Sequence, residues 1–413
     1  MKTEFFINNR TKFAERMDDY STAVFFSGKA PRESADQQHP FSVDRNFFYL
    51  TGIDREDMVL TISKIAGKTE ETLYIPPVDE HFEKWYGILM RKEEAIEASG
   101  IKNIENRNDF LTKFAGKLSS SDRPDNVYIF SYITEADEPY DAYRSLAHWM
   151  RTQFPAVNIK NSLDIMIELR SSKSEEEVEE IKTAIGYTKE ALEFVMKNLK
   201  PDMYEYQARA HFEYRLMLRN SRPSFATIGA SGSNAVILHY VDLKRKMEEG
   251  DMILLDLGAL SNNYASDITR TYPVSGKFTD RQKDIYKVVL EAQEVALDAM
   301  HVGASETDVN DAVKAYFAKE LKMLNIIKDD AEVVNYYYHG IGHPLGLDVH
   351  DLRRRDKTIQ ENNVYTVEPG LYIKEEGIGI RIEDDVWVTK NGIINLSKDI
   401  IKTVNDIENF MNS

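Results

Sequence analysis

The feature that most constrains the fold is a change of pattern at residues 168–174. The polar segment Glu168–Ser174 separates a first half, in which short β-rich runs alternate with helical stretches, from a second half of longer helices and hairpin-like strands. Ser174 and Glu177 form a capping-box signature, which predicts that a helix begins there. Because 413 residues exceed what one hydrophobic core usually supports, we expect two domains, residues 1–168 and 169–413.

The alternation of strand and helix in the first half predicts an α/β domain. Its β-rich runs are apolar and short, as buried strands are. The predicted strands are Thr22–Phe26, Met58–Ile62, Thr72–Ile75 and Val127–Phe130. Helices are predicted at Lys92–Ala98 and Ala136–Thr152.

The second half predicts an α+β domain, with helices packed on an antiparallel sheet. After Ser174, apolar residues recur at helical spacing as far as Leu199, and Pro201 terminates that helix. Further helices are predicted at Tyr204–Asn220, Thr279–His301 and Glu306–Leu321. Two hairpins are predicted, pairing Asp251–Leu260 with Asn263–Val274 and Val364–Ile373 with Ile378–Thr389.

Composition excludes several classes of protein. The formal net charge of −17 disfavours attraction to nucleic-acid phosphates. The absence of Cys excludes disulfides, thiolate metal sites and Cys nucleophiles. The sequence shows neither a membrane-spanning apolar stretch nor the apolar core of a signal peptide. We therefore expect a cytoplasmic protein that binds neither nucleic acid nor membrane and uses Asp, Glu, His, Ser, Lys or Tyr for any chemistry.

Two aspartates on the first predicted hairpin are candidate metal ligands. Asp256 lies in the apolar run ILLDLG, and Asp267 lies in YASDITRTY. A turn centred near Ser261–Asn262 would place the two aspartates opposite each other, with Cβ atoms about 4.5–5.5 Å apart. Carboxylates held that close repel each other unless a cation or a proton intervenes. The alternative is an ordinary pair of aspartates near a turn, one capping it and one solvated.

Three histidines fall within one glycine-rich segment, HGIGHPLGLDVHD: His339, His343 and His350. The interleaved glycines exclude a helical HExxH arrangement and favour a loop from which side chains converge on one point. Imidazoles beside acidic groups are typical of sites for divalent transition metals. Any one of the three could instead be an ordinary hydrogen-bonded core residue.

Two glutamates lie in apolar strands, where an unpartnered carboxylate is costly. Glu368 lies in VYTVEPGLYI, and Glu383 lies in GIGIRIEDDVWV on the same face as Arg381. The alternative is a strand with one solvated face, and we expect Asp384 and Asp385 to be solvated. Four carboxylates and at least one imidazole suit Mn²⁺, Co²⁺, Fe²⁺ or Zn²⁺ in a two-metal site, which would activate water for hydrolysis.

These segments resemble those of the pita-bread metallopeptidases, in the branch that contains aminopeptidase P and prolidase. The motifs are DLGALSNNYASDITRTYPVSG, HGIGHPLGLDVHD, TVEPGLYI, GIRIEDD and the upstream FATIGASGSNAVILHY. In addition, DRNFFYLTGIDREDMVL resembles the amino-terminal domain of aminopeptidase P. The resemblance implies an α/β aminopeptidase-P-like domain at 1–168 and a catalytic pita-bread domain, creatinase/aminopeptidase-like and α+β, at 169–413.

The resemblance also implies five metal ligands. One ion would be bound by Asp256 and the other by His343 and Glu368, with Asp267 and Glu383 bridging both. Glu368 would accept the proton of the attacking water as well.

Four further residues would act on the substrate. His350 would stabilise charge on the scissile carbonyl. His239 and His339 would line the substrate pocket. Arg381 would position the substrate or orient the neighbouring bridging glutamate.

The activity implied by the resemblance is hydrolysis of the bond between an N-terminal residue and a following proline, by a metal-bridging hydroxide. The implied cofactor is two divalent ions, with Mn²⁺ favoured over Co²⁺, Fe²⁺ or Zn²⁺. The implied partners are peptides with proline at the second position and further copies of the chain, in a homodimer or higher homo-oligomer. Two alternatives stay open: a prolidase, which cleaves only Xaa-Pro dipeptides, and a non-catalytic peptide-binding protein on the same fold.

Overall fold

A computed structural model of the chain describes residues 1–133, 135, 137–138 and 140–413. It divides into two compact units, Met1–Leu169 and Arg170–Ser413. Among the described residues, no helix combines the length and the apolar character needed to cross a membrane.

The first unit is an α/β domain built on a mixed sheet. Its helices are α1 (Thr3–Arg16), α2 (Arg45–Thr51), α3 (Glu80–Tyr86), α4 (Lys92–Ser99), α5 (Phe110–Leu118), α6 (Ala142–Gln153) and α7 (Leu163–Ser171, which runs across the division). Its strands are β1 (Ser21–Phe26), β2 (Arg32–Ser34), β3 (Gln37–Gln38), β4 (Val59–Ile65), β5 (Lys68–Ile75), β6 (Ile104–Asn106), β7 (Asn126–Ile129) and β8 (Asn158–Asn161).

Strand β1 lies inside the sheet, whose described strands follow the order β6-β5-β4-β1-β7-β8. It pairs antiparallel with β4 and parallel with β7, and all six of its residues are buried. Phe26 packs edge-on against Phe110 and Tyr143, which come from helices α5 and α6. Apolar side chains from both layers thus form the core of this unit.

The strands predicted for the first half are confirmed, and so is the helix at Lys92–Ala98. The helix predicted at Ala136–Thr152 is present from Ala142, and its expected first residue, Ala136, lies outside the described residues. Helix α1 was not predicted, because its many polar residues, interspersed with the buried Phe5, Phe6 and Phe13, give it a low mean hydropathy.

The second unit contains the longer helices and a set of antiparallel hairpins. Its helices are α8 (Glu175–Asn198), α9 (Glu205–Met217), α10 (Asp280–Ala299), α11 (Glu306–Met323) and α12 (Val404–Met411). Its strands are β9 (Ile228–Ser231), β10 (Met252–Leu257), β11 (Leu260–Ser261), β12 (Tyr264–Ala265), β13 (Ile268–Pro273), β14 (Val364–Val367), β15 (Gly370–Ile373), β16 (Ile378–Arg381), β17 (Asp384–Thr389) and β18 (Gly392–Asn395).

The capping box predicted at the start of α8 is confirmed. Ser174 Oγ accepts from the backbone N–H of Glu177, and the Glu177 carboxylate accepts from the backbone N–H of Ser174. The N-terminal position of this helix is therefore fixed by two reciprocal hydrogen bonds.

Each predicted hairpin of the second unit is interrupted once. The first consists of β10 paired with β13 and, beyond a break, β11 paired with β12. The second consists of β14 paired with β17 and, beyond a break, β15 paired with β16. Helix α10 packs against strands β14, β15 and β16. The breaks matter because the candidate site is assembled around them.

Candidate active site

The acidic side chains of the site come from the interrupted hairpins. Asp267 lies in the break between β12 and β13, Glu368 between β14 and β15, and Glu383 between β16 and β17, whereas Asp256 lies within β10. Residues in a break are released from the ladder of backbone hydrogen bonds, so their side chains can turn toward a common point.

The expected pairing of Asp256 with Asp267 is wrong. The register places Asp256 opposite Thr269, and Asp267 lies two residues before Thr269 on that strand. The cause is the turn, which is formed by Asn262 and Asn263, both left-handed with φ of 44° and 67°. This turn lies one residue further along than expected and shifts the register by two. A shift of two keeps both aspartates on the same face of the hairpin, as diagonal rather than direct neighbours.

His343 enters the site from a loop that lies against the edge of β14. Its backbone N–H donates to Thr366 Oγ1 at 3.0 Å, and its carbonyl accepts from the Thr366 N–H at 2.9 Å. A Cβ atom on Gly342 would lie 2.0 Å from the Thr366 carbonyl oxygen. Glycine at this position therefore allows the close approach that brings the imidazole to the strand breaks.

The side chains singled out from the sequence all line one cavity of about 640 Å³ in the second unit. They are His239, Asp256, Asp267, His339, His343, His350, Glu368, Arg381 and Glu383. Apolar side chains, among them Phe225, Leu238 and Val349, line the same cavity. The cavity lining thus combines carboxylates and imidazoles with apolar side chains.

Three of these residues form a tight, buried cluster with the geometry of a metal-binding site. Asp267, His343 and Glu383 each offer a ligand atom, and these atoms lie within 4.8 Å of one another. His343 Nε2 lies 3.4 Å from Asp267 Oδ2 and 3.8 Å from Glu368 Oε1. One cation could therefore contact several of these atoms after small side-chain adjustments.

Electrostatics at the cluster favour a cation. Burial, reinforced by the Asp256 carboxylate, raises the pKa of Asp267 well above its ordinary value. Burial and the Asp267 carboxylate do the same to the pKa of Glu383, and burial raises the pKa of Glu368. Without a cation these carboxylates would tend to keep protons, which a divalent ion would displace.

Unpartnered oxygen atoms support the same conclusion. Among the described residues, Asp256 Oδ1 and Asp267 Oδ1 are buried and have no hydrogen-bond partner. Buried polar atoms are rarely left unsatisfied unless a ligand or an ion completes them. The carboxylate and imidazole donors of this site therefore fit one or more divalent metal ions.

Arg381 links several of the residues behind the cluster. Its guanidinium donates to Asp256 Oδ2 at 2.5 Å, to the Tyr372 hydroxyl at 2.8 Å and to Thr269 Oγ1 at 3.1 Å. Thr269 Oγ1 in turn donates to Glu383 Oε2 at 2.6 Å. Arg381 is therefore placed to orient two of the carboxylates at once.

Tyr372 and Thr269 were not expected at the site from the sequence. Thr269 could have been found, since it lies two residues after Asp267 and shares its face of the strand. Tyr372 carries no comparable signal, because its contact with Arg381 depends on the pairing of β15 with β16.

His339 is partly buried and the His350 side chain is more exposed, but partial desolvation affects both imidazoles. Burial, with a smaller effect of Arg381, lowers the pKa of His339 to about 4. Burial, with a smaller effect of His343, lowers the pKa of His350 to about 4. Both imidazoles are thus neutral near pH 7, and each carries a single N–H donor.

Ring contacts and hydrogen bonds fix two of these imidazoles. The His350 ring stacks on that of His343, with centroids 3.9 Å apart. His339 Nε2 lies 2.9 Å from the Tyr372 hydroxyl oxygen. His239 and His350 are both exposed, and both line the cavity.

The expectation that Asp384 and Asp385 are solvated is wrong, because both are fully buried. Asp384 Oδ1 lies 2.6 Å from Arg270 Nη2, and Asp384 Oδ2 lies 2.8 Å from Lys402 Nζ. Asp385 Oδ2 accepts a hydrogen bond from the backbone N–H of Asp267 at 3.1 Å. Strand β17 is covered on both faces, so alternation along it does not separate a core face from a solvent face.

Comparison with known proteins identifies the class. Residues 179–390 match Metallopeptidase family M24, and residues 6–128 match the family described as Aminopeptidase P, N-terminal domain. The chain therefore belongs to metallopeptidase family M24, whose members are hydrolases. The fold expected from the sequence, an α/β amino-terminal domain followed by a pita-bread domain, is confirmed.

Relatives that match along almost the whole chain include Xaa-Pro aminopeptidases. The Xaa-Pro aminopeptidase of Haemophilus influenzae is 32% identical, over 99% of this chain and 97% of the relative. A solved structure from Bacillus anthracis, provisionally assigned as an aminopeptidase P, is 40% identical with a TM-score of 0.97 and covers 100% of this chain and 99% of its own. Escherichia coli aminopeptidase P with the inhibitor Pro-Leu is 30% identical with a TM-score of 0.92 and covers 100% of this chain and 98% of its own.

Proposed function

We propose that this chain is an Xaa-Pro aminopeptidase that uses two divalent metal ions to hydrolyse the bond between an N-terminal residue and a following proline. The observation that carries the proposal is the convergence of four carboxylates and His343 on one cavity, with two buried carboxylate oxygens left without partners. The full-length similarity to Xaa-Pro aminopeptidases supports the choice of substrate.

The metal ligands in this proposal are those expected from the sequence. Asp256, Asp267, His343, Glu368 and Glu383 would hold the two ions. Four hard carboxylates and one imidazole favour Mn²⁺, with Co²⁺, Fe²⁺ and Zn²⁺ as alternatives. The chemistry that such ions would supply is Lewis acidity, which would lower the pKa of a water molecule and polarise a carbonyl group.

Residues of the chain supply the remaining chemistry. The Glu368 carboxylate accepts the proton of the attacking water. His350, neutral near pH 7, donates its N–H to the substrate carbonyl oxygen as negative charge develops there. Arg381 holds Asp256 in place through the hydrogen bond already described.

The rest of the cavity suits a proline-containing peptide. The apolar side chains of Phe225, Leu238 and Val349 line it beside the carboxylates. Such a wall can pack against a pyrrolidine ring, which presents carbon atoms and offers no N–H at the scissile bond. His239 and His339 flank the substrate backbone in this arrangement.

A comparison of two substrates tests the proposal. The protein is assayed with Mn²⁺ on an Xaa-Pro dipeptide and on an Xaa-Pro-Xaa-Xaa peptide at equal concentration, with an Xaa-Ala-Xaa-Xaa peptide as the control. We expect release of the N-terminal residue from the longer proline peptide and little cleavage of the alanine peptide. Cleavage of the dipeptide alone would assign a prolidase instead, and cleavage of neither proline peptide would contradict both assignments.

Two further parts of the proposal concern assembly and location. We propose a homodimer or higher homo-oligomer, which sedimentation velocity would measure directly. We also propose a cytoplasmic location, which cell fractionation would test.

A further inference from the structure

A buried amide lies directly behind the two strand breaks that present Glu368 and Glu383. Gln293, on helix α10, is fully buried. Its Nε2 donates to the carbonyl oxygen of Val367 at 3.1 Å and to that of Ile382 at 3.3 Å. These carbonyls belong to the residues that immediately precede the two glutamates. One side chain thus bridges both breaks.

Glu368 and Glu383 face each other across the hairpin in which β14 pairs with β17 and β15 pairs with β16. On one side of the break Val367 pairs with Asp384, and on the other Gly370 pairs with Arg381. Continuing that register through the break places Glu368 opposite Glu383.

Neither glutamate completes the ladder between its own strands. The Glu368 N–H donates to the Ile341 carbonyl at 2.9 Å, and the Glu383 N–H donates to the Thr269 carbonyl at 3.1 Å. Within the break the Ile382 N–H donates to the Pro369 carbonyl at 3.3 Å, but Pro369 has no N–H to return a bond, so the buried Ile382 carbonyl needs another donor.

The orientation of the Gln293 amide is fixed by its other end. Its Oε1 accepts from Lys402 Nζ at 2.7 Å, so the NH₂ group is directed at the two carbonyls. Lys402 Nζ also lies 2.8 Å from Asp384 Oδ2, next to Glu383 in the chain. The amide is therefore held by a charged group on one side and by both strand breaks on the other.

We propose that Gln293 is a positioning residue for the metal site, holding the spacing between Glu368 and Glu383 by tying the two strand breaks to helix α10. Gln293 is not among the residues that line the cavity, so it acts through the backbone of the two glutamates. The inference deepens the proposed function and rests on it for the identity of the metal ligands.

The test compares two glutamines of one helix. Gln293→Met keeps the length of the side chain and removes both donors, whereas Gln282→Met removes a buried amide that donates to the Gly250 carbonyl at 2.8 Å. Each full-length variant is titrated with Mn²⁺ by calorimetry, loaded with Co²⁺ for its visible absorption spectrum, and melted without metal. Second-layer changes of this kind usually lower metal affinity by about 10–100-fold.

We expect Gln293→Met to bind Mn²⁺ at least about tenfold more weakly than the wild type and to show an altered Co²⁺ spectrum. Gln282→Met should keep the wild-type Mn²⁺ affinity and Co²⁺ spectrum, even if its melting temperature is lower than that of Gln293→Met. If Gln293→Met does not fold, Gln293→Glu replaces it, since this variant keeps the acceptor for Lys402 and removes the donors to both carbonyls. Unchanged Mn²⁺ affinity and Co²⁺ spectrum in the folded variant would overturn the proposal. Absence of Xaa-Pro cleavage by the wild type would instead count against the proposed function.

Discussion

Arg381 donates a hydrogen bond to Asp256 Oδ2, and both side chains are buried. Burial lowers the pKa of Arg381, but Tyr372 and the Asp256 carboxylate outweigh burial and raise it well above its ordinary value. The guanidinium is therefore charged at every accessible pH. Because Arg381 occupies Oδ2, the unpartnered Oδ1 of Asp256 is the atom left free for a metal ion.

Replacing Arg381 by lysine should weaken metal binding without removing the positive charge. A lysine ammonium cannot reproduce the planar fork that reaches Asp256, Tyr372 and Thr269 together. We expect Arg381→Lys to lower Mn²⁺ affinity by about 10–100-fold, measured by calorimetric titration. The control is Arg281→Lys, which alters a partly exposed pair with Glu376. Wild-type affinity in Arg381→Lys would show that Arg381 does not orient a ligand.

Removing one carboxylate of the cluster should stabilise the protein when no metal is bound. The raised pKa of Glu383, caused by burial and by the Asp267 carboxylate, shows that its ionised form is disfavoured there. Glu383→Gln keeps an oxygen that can accept from Thr269 Oγ1 and removes the ionisable group. For the metal-free protein we expect a melting temperature higher by about 2–4 °C, corresponding to about 1 kcal/mol.

With added Mn²⁺, the wild type should have the higher melting temperature of the two proteins. The wild type is expected to gain stability in proportion to metal binding, whereas Glu383→Gln should gain little. The exposed Glu249→Gln serves as the control and should behave as the wild type does. Equal stabilisation of Glu383→Gln and wild type by Mn²⁺ would remove Glu383 from the set of ligands.

The stability of the folded protein below pH 4 should depend on the buried ion-pair cluster of Asp351, Arg170 and Lys173. Asp351 Oδ1 lies 2.5 Å from Arg170 Nη2, and Asp351 Oδ2 lies 2.9 Å from Lys173 Nζ. Burial raises the pKa of Asp351, but Arg170 and Lys173 outweigh burial and lower it overall. The Asp351 carboxylate therefore binds a proton more readily in the unfolded chain than in the folded protein. The cluster stabilises the fold above about pH 4, and this contribution is lost as pH falls through the lowered pKa of Asp351.

Lys173→Met tests the sign of this effect. We expect the variant to be less stable than the wild type at pH 7, by about 3 kcal/mol for a buried pair that loses one partner. The difference in urea midpoint between the wild type and Lys173→Met should shrink as pH falls below 4. The reason is that protonation of Asp351 removes its ion pair with Lys173 from the wild type as well. Lys182→Met, at an exposed pair with Glu179, should show no such trend. A difference that stays constant from pH 7 to pH 3 would argue against a lowered pKa for Asp351.

The sequence was most informative where it placed charge in apolar strands. Asp256, Glu368 and Glu383 could be selected because an unpartnered carboxylate in an apolar run is costly. The register of Asp256 could not be predicted, since it depends on which residues adopt left-handed conformations in the turn. Asp385 was misjudged because alternation along a strand does not reveal whether both faces are covered.

Contacts that depend on tertiary packing could not be predicted at all. Gln293 precedes Val367 by 74 residues and lies among ordinary helix-forming residues. Only the packing of helix α10 on the interrupted hairpin brings its amide to the two carbonyls. The position of Tyr372 beside Arg381 and His339 depends in the same way on strand pairing.

We propose above that the carboxylates and His343 hold two divalent ions that support cleavage before proline. The most direct measurement titrates Mn²⁺ into metal-free protein while release of the N-terminal residue from an Xaa-Pro-Xaa-Xaa peptide is followed in parallel. We predict no activity without metal, two equivalents bound per chain at saturation, and loss of both binding and activity in His343→Ala. Full activity in the metal-free protein, or saturation of activity with a single ion bound, would contradict the claim.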